Sequence, residues 1–244
     1  MGDCSRRIWA RMCRLLRGEG SRAFFMGLLF VTTPCLAEDK YPVAIELVLA
    51  LDCSASVDNR EFRLQVEGLA EAFRDPEVLE AVENLKPFGV AVAVTQWGAP
   101  RETRVVVPFT WLESSMHAKA FGFRAGLIHR WIRASATSIA TGIDDAVTLI
   151  DSNEFEGRRK VIDVSGDGQD NSGADLDAAR ERARAGGITI NGLSIASDAE
   201  GLEEYYRQNV ISGSDAFVEP AKDFEDFARA LKEKLLRELR PFAS

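Results

Sequence analysis

The amino-acid sequence predicts an α/β fold of the doubly wound class: a mostly parallel sheet with one antiparallel edge strand and helices on both faces. Apolar segments of strand length alternate with segments of helical periodicity along the chain, which is the order that a parallel sheet requires. Two apolar segments, 43–51 and 160–165, lead directly into polar loops that contain a carboxylate. Segments 89–97 and 103–109 follow each other closely, which predicts a hairpin and an antiparallel edge.

The remaining elements follow from periodicity and capping signals. The predicted strands lie at 43–51, 89–97, 103–109, 160–165, 188–195 and 216–218. The predicted helices begin after the capping-box pair Asp58 and Glu61, begin at Asp75-Pro76, or span 115–132, 141–150, 174–185, 200–208 and 222–239. The chain shows neither a repeat nor a long linker, so residues 38–244 are predicted to form a single domain.

Residues 1–37 have the pattern of a secretory signal peptide. Arginines precede a short apolar run, 23–31, and small residues then lead to Ala37. The run is too short to span a bilayer as a helix, although an uncleaved membrane anchor remains the alternative. The pattern therefore predicts an exported protein, periplasmic or secreted, that has no membrane attachment once the leader is cleaved.

Removal of the leader changes both charge and cysteine content. The leader carries six arginines against Asp3 and Glu19, a net charge of +4, so the formal net charge falls from −8 for the chain to −12 for residues 38–244. A chain this acidic is a poor ligand for nucleic acid.

Cys53 is the one cysteine outside the leader, which excludes an intramolecular disulfide and a cysteine zinc site. We expect Cys53 to be a small buried residue, with a reactive thiol as the alternative.

Three polar clusters supply candidate metal ligands. They contain the following residues: Asp52, Ser54 and Ser56 after the first strand, Thr137 before a helix, and Asp167 after the 160–165 strand. Loops at the carboxyl ends of parallel strands converge, so we expect these side chains to lie close together. Carboxylate and hydroxyl oxygens favour Mg²⁺, with Mn²⁺ or Ca²⁺ as alternatives. With two carboxylates and three neutral hydroxyls in the shell, the ion stays electrophilic and keeps an open position for an outside oxygen.

This pattern resembles the metal-ion-dependent adhesion site of von Willebrand factor A and integrin inserted domains. The family pattern is D-x-S-x-S, a distant Thr and a later Asp, and it matches Asp52, Ser54, Ser56, Thr137 and Asp167 in that order. The resemblance implies that the three hydroxyls touch the metal and that the two aspartates often act through water. It also implies that a protein partner completes the metal shell with an Asp or Glu carboxylate.

A narrower resemblance lies in two further stretches, 161–168 and 188–193. They are similar to a bacterial family of exported proteins named domain of unknown function 1194. The wider resemblance covers about residues 43 to 240, and the order of the predicted elements agrees with it. Ala55 stands where the adhesion-site pattern often has glycine, which restricts the loop but removes no ligand.

These observations favour a non-catalytic, cation-dependent protein-binding module. A metal-assisted hydrolase or phosphoryl-transfer enzyme is one alternative, but the sequence has neither a P-loop nor a G-x-S-x-G elbow. His117 and His129 fall on the predicted helix 115–132, away from the strand ends, where a general base would be badly placed. A structural scaffold without metal is the other alternative, and the complete ligand set argues against it.

Several other polar and aromatic residues have a structural interpretation. Asp163 is either a group that orients the metal site or a buried carboxylate satisfied by a nearby donor. Asp170 and Asn171 are expected in a solvated loop. The tryptophans expected to be core or packing residues are Trp97, Trp111 and Trp131.

The signal-peptide prediction has a direct test. We expect cleavage after Ala37, so that the exported protein begins at Glu38, because the small residues before Ala37 suit signal peptidase. Intact-mass measurement of the protein recovered outside the cytoplasm checks this. A full-length mass in the cytoplasmic fraction would contradict it.

Overall fold

A strand buried on both faces lies at the centre of the sheet. This strand, β1 (Tyr41–Asp52), is buried from Val43 to its end, as its continuous apolar run predicts. The computed structural model describes residues 40–196 and 201–240. The predicted leader, 1–37, lies outside the described residues.

Five further strands complete the described sheet. They are β2 (Val90–Trp97), β3 (Thr103–Leu112), β4 (Phe155–Gly166), β5 (Ile188–Ile195) and β6 (Val218–Ala221). The strand order is β3-β2-β1-β4-β5-β6. β2 and β3 pair in antiparallel fashion, and every other neighbouring pair is parallel. The predicted sheet, with its antiparallel edge strand, is confirmed.

Helices cover both faces of this sheet. They are α1 (Asn59–Ala72), α2 (Pro76–Glu83), α3 (Ser115–Ala125), α4 (Ile139–Ser152), α5 (Leu176–Ala185), α6 (Leu202–Asn209) and α7 (Phe227–Glu238). Apolar residues of α1, α2, α3 and α7 share one core, and those of α4, α5 and α6 share the other. Along β1, Leu47 and Leu49 face the first core, whereas Val48 and Ala50 face the second. This alternation is the two-residue period of a strand.

The predicted helix 115–132 is too long. α3 ends at Ala125, and the chain that follows is irregular. The amide of Gln96 replaces the helical hydrogen bonds there: its Oε1 accepts from the backbone N–H of Trp131 at 2.8 Å, and its Nε2 donates to the carbonyl of His129 at 2.7 Å. A side chain from β2 therefore decides the conformation, and the helical periodicity gives no sign of it. His129 is not on a helix with His117.

Two smaller expectations also differ from the structure. α4 begins at Ile139 rather than at 141, with Ser138 as its N-cap residue. Trp97 is fully buried, as predicted, but Trp111 is 41% exposed and Trp131 is 57% exposed. These two tryptophans are therefore not core residues. The indole of Trp131 instead lies beneath the guanidinium of Arg104, 4.2 Å from the ring centroid.

A buried ionic cluster connects α7 to the sheet. Nζ of Lys234 lies 2.9 Å from Oδ1 of Asp163 and 3.2 Å from Oε1 of Glu238. Asn191 of β5 also donates to Glu238, at 2.7 Å. Burial, followed by the charge of Glu238, raises the pKa of Asp163 well above its ordinary range. Asp163 is thus a buried carboxylate with a nearby donor, the second of its two predicted interpretations.

Loss of the ammonium group from this cluster should destabilise the fold. Lys234→Met leaves two buried carboxylates without their cation, so we expect the free energy of unfolding to fall by about 3–5 kcal/mol. Lys232→Met is the matched control on the same helix. Lys232 pairs with Asp75 and Glu77 at the surface, so its loss should lower the free energy of unfolding far less. Urea unfolding measures both variants, and equal losses would contradict the prediction.

Candidate metal site

The carboxyl ends of β1 and β4 bring two aspartates to one edge of the sheet. The strands are parallel neighbours, and Leu51 of β1 pairs with Ser165 of β4. Asp52 is the last residue of β1, and Asp167 directly follows β4. The strands that follow β1 in the chain, β2 and β3, lie on one side of it within the sheet, and the later strands, β4, β5 and β6, lie on the other. The two aspartates therefore lie at the switch point of a doubly wound sheet, where such folds place their sites.

A chain of hydrogen bonds links four of the predicted ligands. The backbone N–H of Ser54 donates to Oδ1 of Asp52 at 2.7 Å. The hydroxyl oxygens of Ser54 and Ser56 lie 3.2 Å apart. The hydroxyl of Ser56 then donates to Oδ1 of Asp167 at 2.7 Å. The alternating D-x-S-x-S spacing thus aims these side chains toward one place.

Thr137 reaches the same place from a third loop. Its backbone N–H donates to Oδ1 of Asn171 at 2.8 Å, and its carbonyl accepts from the N–H of Asn171 at 3.0 Å. Its hydroxyl would lie 3.8 Å from a Cβ placed on Gly168, the residue after Asp167. The structure therefore brings all five predicted residues to the edge formed by β1 and β4.

Asp170 and Asn171 lie in a loop, as expected, with Asn171 exposed and Asp170 half-buried, but their side chains also bind the backbone of other segments. Oδ2 of Asp170 accepts from the N–H of Ala140 in the first turn of α4, at 3.2 Å, and Oδ1 accepts from the N–H of Ser172 at 3.0 Å. The backbone N–H of Asp170 donates to the hydroxyl of Tyr205 at 3.1 Å. Together with Asn171, Asp170 fixes the loop that carries Thr137. These partners are far apart in sequence, so no local pattern shows the arrangement.

The electrostatics of Asp52 test whether the site fits a cation. Asp52 is fully buried, and burial, followed by the charge of Asp167, raises its pKa to about 7. Its Oδ2 accepts no well-aligned hydrogen bond from the described residues, although the backbone N–H of Asp167 offsets part of the pKa shift. The donor set is entirely oxygen, and its two carboxylates repel each other. These residues fit a hard divalent cation such as Mg²⁺, Mn²⁺ or Ca²⁺.

A tyrosine behind the site was missed by the sequence analysis. Tyr206 of α6 is fully buried, and burial together with the charges of Asp52 and Asp167 raises the pKa of its phenol well above its ordinary value. A Cβ on Gly166 would lie 2.6 Å from the Tyr206 hydroxyl and 2.9 Å from Oδ2 of Asp52. A neutral phenol thus closes the site from behind, and only glycine fits between it and the carboxylate. The one feature of the sequence that could have indicated this role is the pair Tyr205-Tyr206 in an otherwise polar helix.

Side chains from other elements hold the backbone of the first ligand loop. Nη2 of Arg130 donates to the carbonyls of Cys53 and Ser54 at 3.2 and 3.1 Å. Nε2 of Gln65 donates to the carbonyl of Asp52 at 3.2 Å. Cys53 itself is fully buried, and burial raises the pKa of its thiol. The expectation that Cys53 is a small buried residue is confirmed.

Solved structures with the same architecture come from several organisms. One is proximal thread matrix protein 1 from the mussel byssus, which was solved with zinc in its metal-ion-dependent adhesion site (MIDAS) motif. It matches with a TM-score of 0.60 and 16% identity, over 81% of this chain and 48% of that chain. A von Willebrand factor type A protein from Catenulispora acidiphila matches at 0.54 and 20%, over 81% and 43%. The von Willebrand factor domain of the pilus tip protein Mfa5 from Porphyromonas gingivalis matches at 0.56 and 10%, over 83% and 98%.

These likenesses establish the fold. The chain spans about half the length of the mussel protein, and no curated protein matches its sequence. A family model, in contrast, matches residues 42–243, which is most of the chain. The chain therefore has the von Willebrand factor A fold and belongs to the family described as Protein of unknown function (DUF1194).

Proposed function

We propose that this protein is an exported, non-catalytic module that binds one divalent cation and, through it, a protein partner. The cation, Mg²⁺ in the first instance, is held by the five residues of the site: Asp52, Ser54, Ser56, Thr137 and Asp167. The observation that carries the proposal is the convergence of three loops on one all-oxygen site that contains the buried carboxylate of Asp52. When bound, the cation supplies an electrophilic point that accepts an oxygen ligand from outside.

The charge of the site favours a carboxylate as that outside ligand. With two carboxylates and three neutral hydroxyls as its ligands, a divalent cation would stay electrophilic and attract a further anionic oxygen. Asp52 is buried behind the site, whereas Ser56 is exposed and Asp167 is partly exposed. A partner can therefore approach from the side of Ser56. An Asp or Glu of that partner would then complete the shell.

The solved relatives support binding as the role. One is a matrix protein of the mussel byssus with zinc in its MIDAS motif, and another is a pilus tip protein. For this chain the all-oxygen donor set favours Mg²⁺, because zinc sites in proteins usually include nitrogen or sulfur ligands. The buried and protonated Cys53 supplies no thiolate to the site.

The composition of the site also supports a role without catalysis. The proposed site has only two carboxylates among its ligands. Within residues 40–196 and 201–240, no cluster of three or more His, Cys, Asp or Glu side chains is arranged to bind a metal ion. Two-metal hydrolases use several such ligands. His117 and His129 are both exposed. Nδ1 of His117 lies 3.2 Å from the hydroxyl of Ser114, and the backbone carbonyl of His129 accepts from the amide of Gln96. A phosphatase and esterase panel tests the enzyme alternative directly.

Export rests on the pattern of residues 1–37. Among the helices of the described residues, none has the length and apolarity to cross a bilayer. We place the protein in the periplasm or the medium, free of the membrane after cleavage, because the short apolar run ends in a cleavage-site pattern.

Magnesium should stabilise the protein through this site. A ligand present at a hundred times its dissociation constant adds about 2.7 kcal/mol, which should raise the Tm by about 5–10 °C for a chain of this size. Asp52→Asn should abolish the increase because it removes one of the two charges that attract the cation. The matched control, Asp163→Asn, changes another buried carboxylate and should keep the increase. Thermal unfolding with Mg²⁺ and with EDTA measures it, and an undiminished increase in Asp52→Asn would refute the assignment.

Partner binding should require the cation. We expect a pulldown from the native extract to recover a protein in Mg²⁺ and to lose it in EDTA. Thr137→Ala should also lose it, because the variant removes one metal-contacting hydroxyl while the hydrogen bonds of the Thr137 backbone to Asn171 remain. Ser135→Ala, at an exposed position two residues away, is the control. Equal recovery of the same protein under all conditions would show that the cation does not mediate binding.

A further inference from the structure

The charge of this acidic chain is reversed next to the metal site. The full chain has a formal net charge of −8, yet the segment 114–143 contains neither Asp nor Glu and carries Lys119, Arg124, Arg130 and Arg133. This segment runs from the start of α3 through the irregular stretch after it to Thr137 and the first turn of α4. Positive charge is therefore concentrated beside the site for which we propose a carboxylate ligand.

This segment forms one wall of a groove that adjoins the metal loop. The groove has a volume of about 600 Å³, and its other wall is α1, with Arg63, Phe62 and Val66. Arg130 lines the groove and also donates to the carbonyl of Ser54. Arg133 lines it as well and donates to Oδ1 of Asn59, at 3.3 Å. The contact of Arg130 connects one wall of the groove to the loop that carries Ser54.

The arginines that line the groove outnumber its carboxylates. Within the described residues, Arg63, Arg130 and Arg133 form no ion pair within 4 Å. Arginines on other faces do form ion pairs, with these partners: Arg182 with Asp144, Arg207 with Glu203, and Arg229 with Asp226. Glu67 is the one carboxylate that lines the groove. Three guanidinium groups against one carboxylate give the groove an excess of positive charge, which attracts carboxylates from outside.

Apolar side chains lie beside these charges. Leu127 is 61% exposed and Trp131 is 57% exposed, and both lie on the same irregular stretch as Arg130 and Arg133. A second depression of about 370 Å³ is lined by Leu127, Trp131 and Arg124, and it shares Leu127 with the first groove. Exposed aromatic and arginine side chains in one place are typical of the centres of protein interfaces.

We propose that this groove binds an acidic, partly apolar segment of the same partner whose carboxylate completes the metal shell. The inference rests on the proposed function and adds the chemistry of the partner: several Asp or Glu residues interspersed with apolar ones. The guanidinium groups pair with the additional carboxylates, and Leu127 and Trp131 contact the apolar side chains. Nucleic acid and anionic membranes are disfavoured, because the rest of the chain is strongly acidic.

The test is an unbiased array of random short peptides, probed with the dye-labelled protein in Mg²⁺. We expect the bound peptides to contain at least three acidic residues together with Leu or an aromatic residue. For the tightest of these peptides, fluorescence anisotropy should show about tenfold weaker binding to the double variant Arg63→Gln/Arg133→Gln. The control double variant, Arg184→Gln/Arg207→Gln, removes two arginines that pair with carboxylates elsewhere, and it should bind like the wild type.

The outcomes separate the groove from the metal site. Binding that needs Mg²⁺ but is unchanged in Arg63→Gln/Arg133→Gln would overturn the groove and leave the proposed function intact. Binding that weakens in this variant but persists in EDTA would support the groove and contradict the metal-dependent function. The inference would be overturned if the bound peptides lacked acidic residues. It would also be overturned if single-stranded DNA or phosphatidylglycerol vesicles bound more tightly than the acidic peptides. A Tm of the variant equal to that of the wild type shows that it folds.

Discussion

The carboxylate of Asp52 is the group on which the rest of this site depends. It is fully buried at the end of the central strand, beside the second carboxylate of Asp167. Burial of a charge is costly unless it is paired or hydrogen-bonded, and here the backbone N–H groups of Ser54 and Asp167 and the hydroxyl of Ser54 provide only part of the compensation. The remaining excess of negative charge is what a divalent cation would neutralise. The proposed function is therefore a consequence of where β1 ends.

Other parts of the fold hold the groups around this carboxylate in place. Gly166 leaves the space that the phenol of Tyr206 and Oδ2 of Asp52 both need. Asn171 holds the backbone of Thr137, and Arg130 holds the carbonyl of Ser54. Because Arg130 also lines the surface groove, the metal loop and the groove share one wall. A partner that contacts both would engage a single connected structure.

The sequence predicted the fold class and the elements that local patterns control. The buried run of β1 follows from its apolar residues, and the capping box of Asp58 and Glu61 is present at the start of α1. The five candidate ligands could be named because strand ends converge and because the pattern resembles a known site. Their convergence is observed, whereas their role as metal ligands remains a prediction.

The parts that could not be predicted depend on contacts between residues that are distant in the sequence. The helix at 115–132 ends early because the amide of Gln96 binds the backbone that follows it. Asp170 reaches the start of α4 and the hydroxyl of Tyr205, so a stretch that reads as a solvated loop is a support of the site. The only sign of the groove in the sequence is a segment without acidic residues, 114–143. That this segment forms a groove could not be predicted, because the groove depends on its packing against α1.

The most direct measurement of the central claim is anomalous diffraction from crystals soaked in Mn²⁺, which has the same ligand preference as Mg²⁺ and a usable absorption edge. The account predicts one strong anomalous peak among the hydroxyls of Ser54, Ser56 and Thr137, with a weaker or absent peak in crystals of Asp52→Asn. Crystals with no peak at this edge of the sheet, or with a peak only elsewhere on the surface, would contradict it.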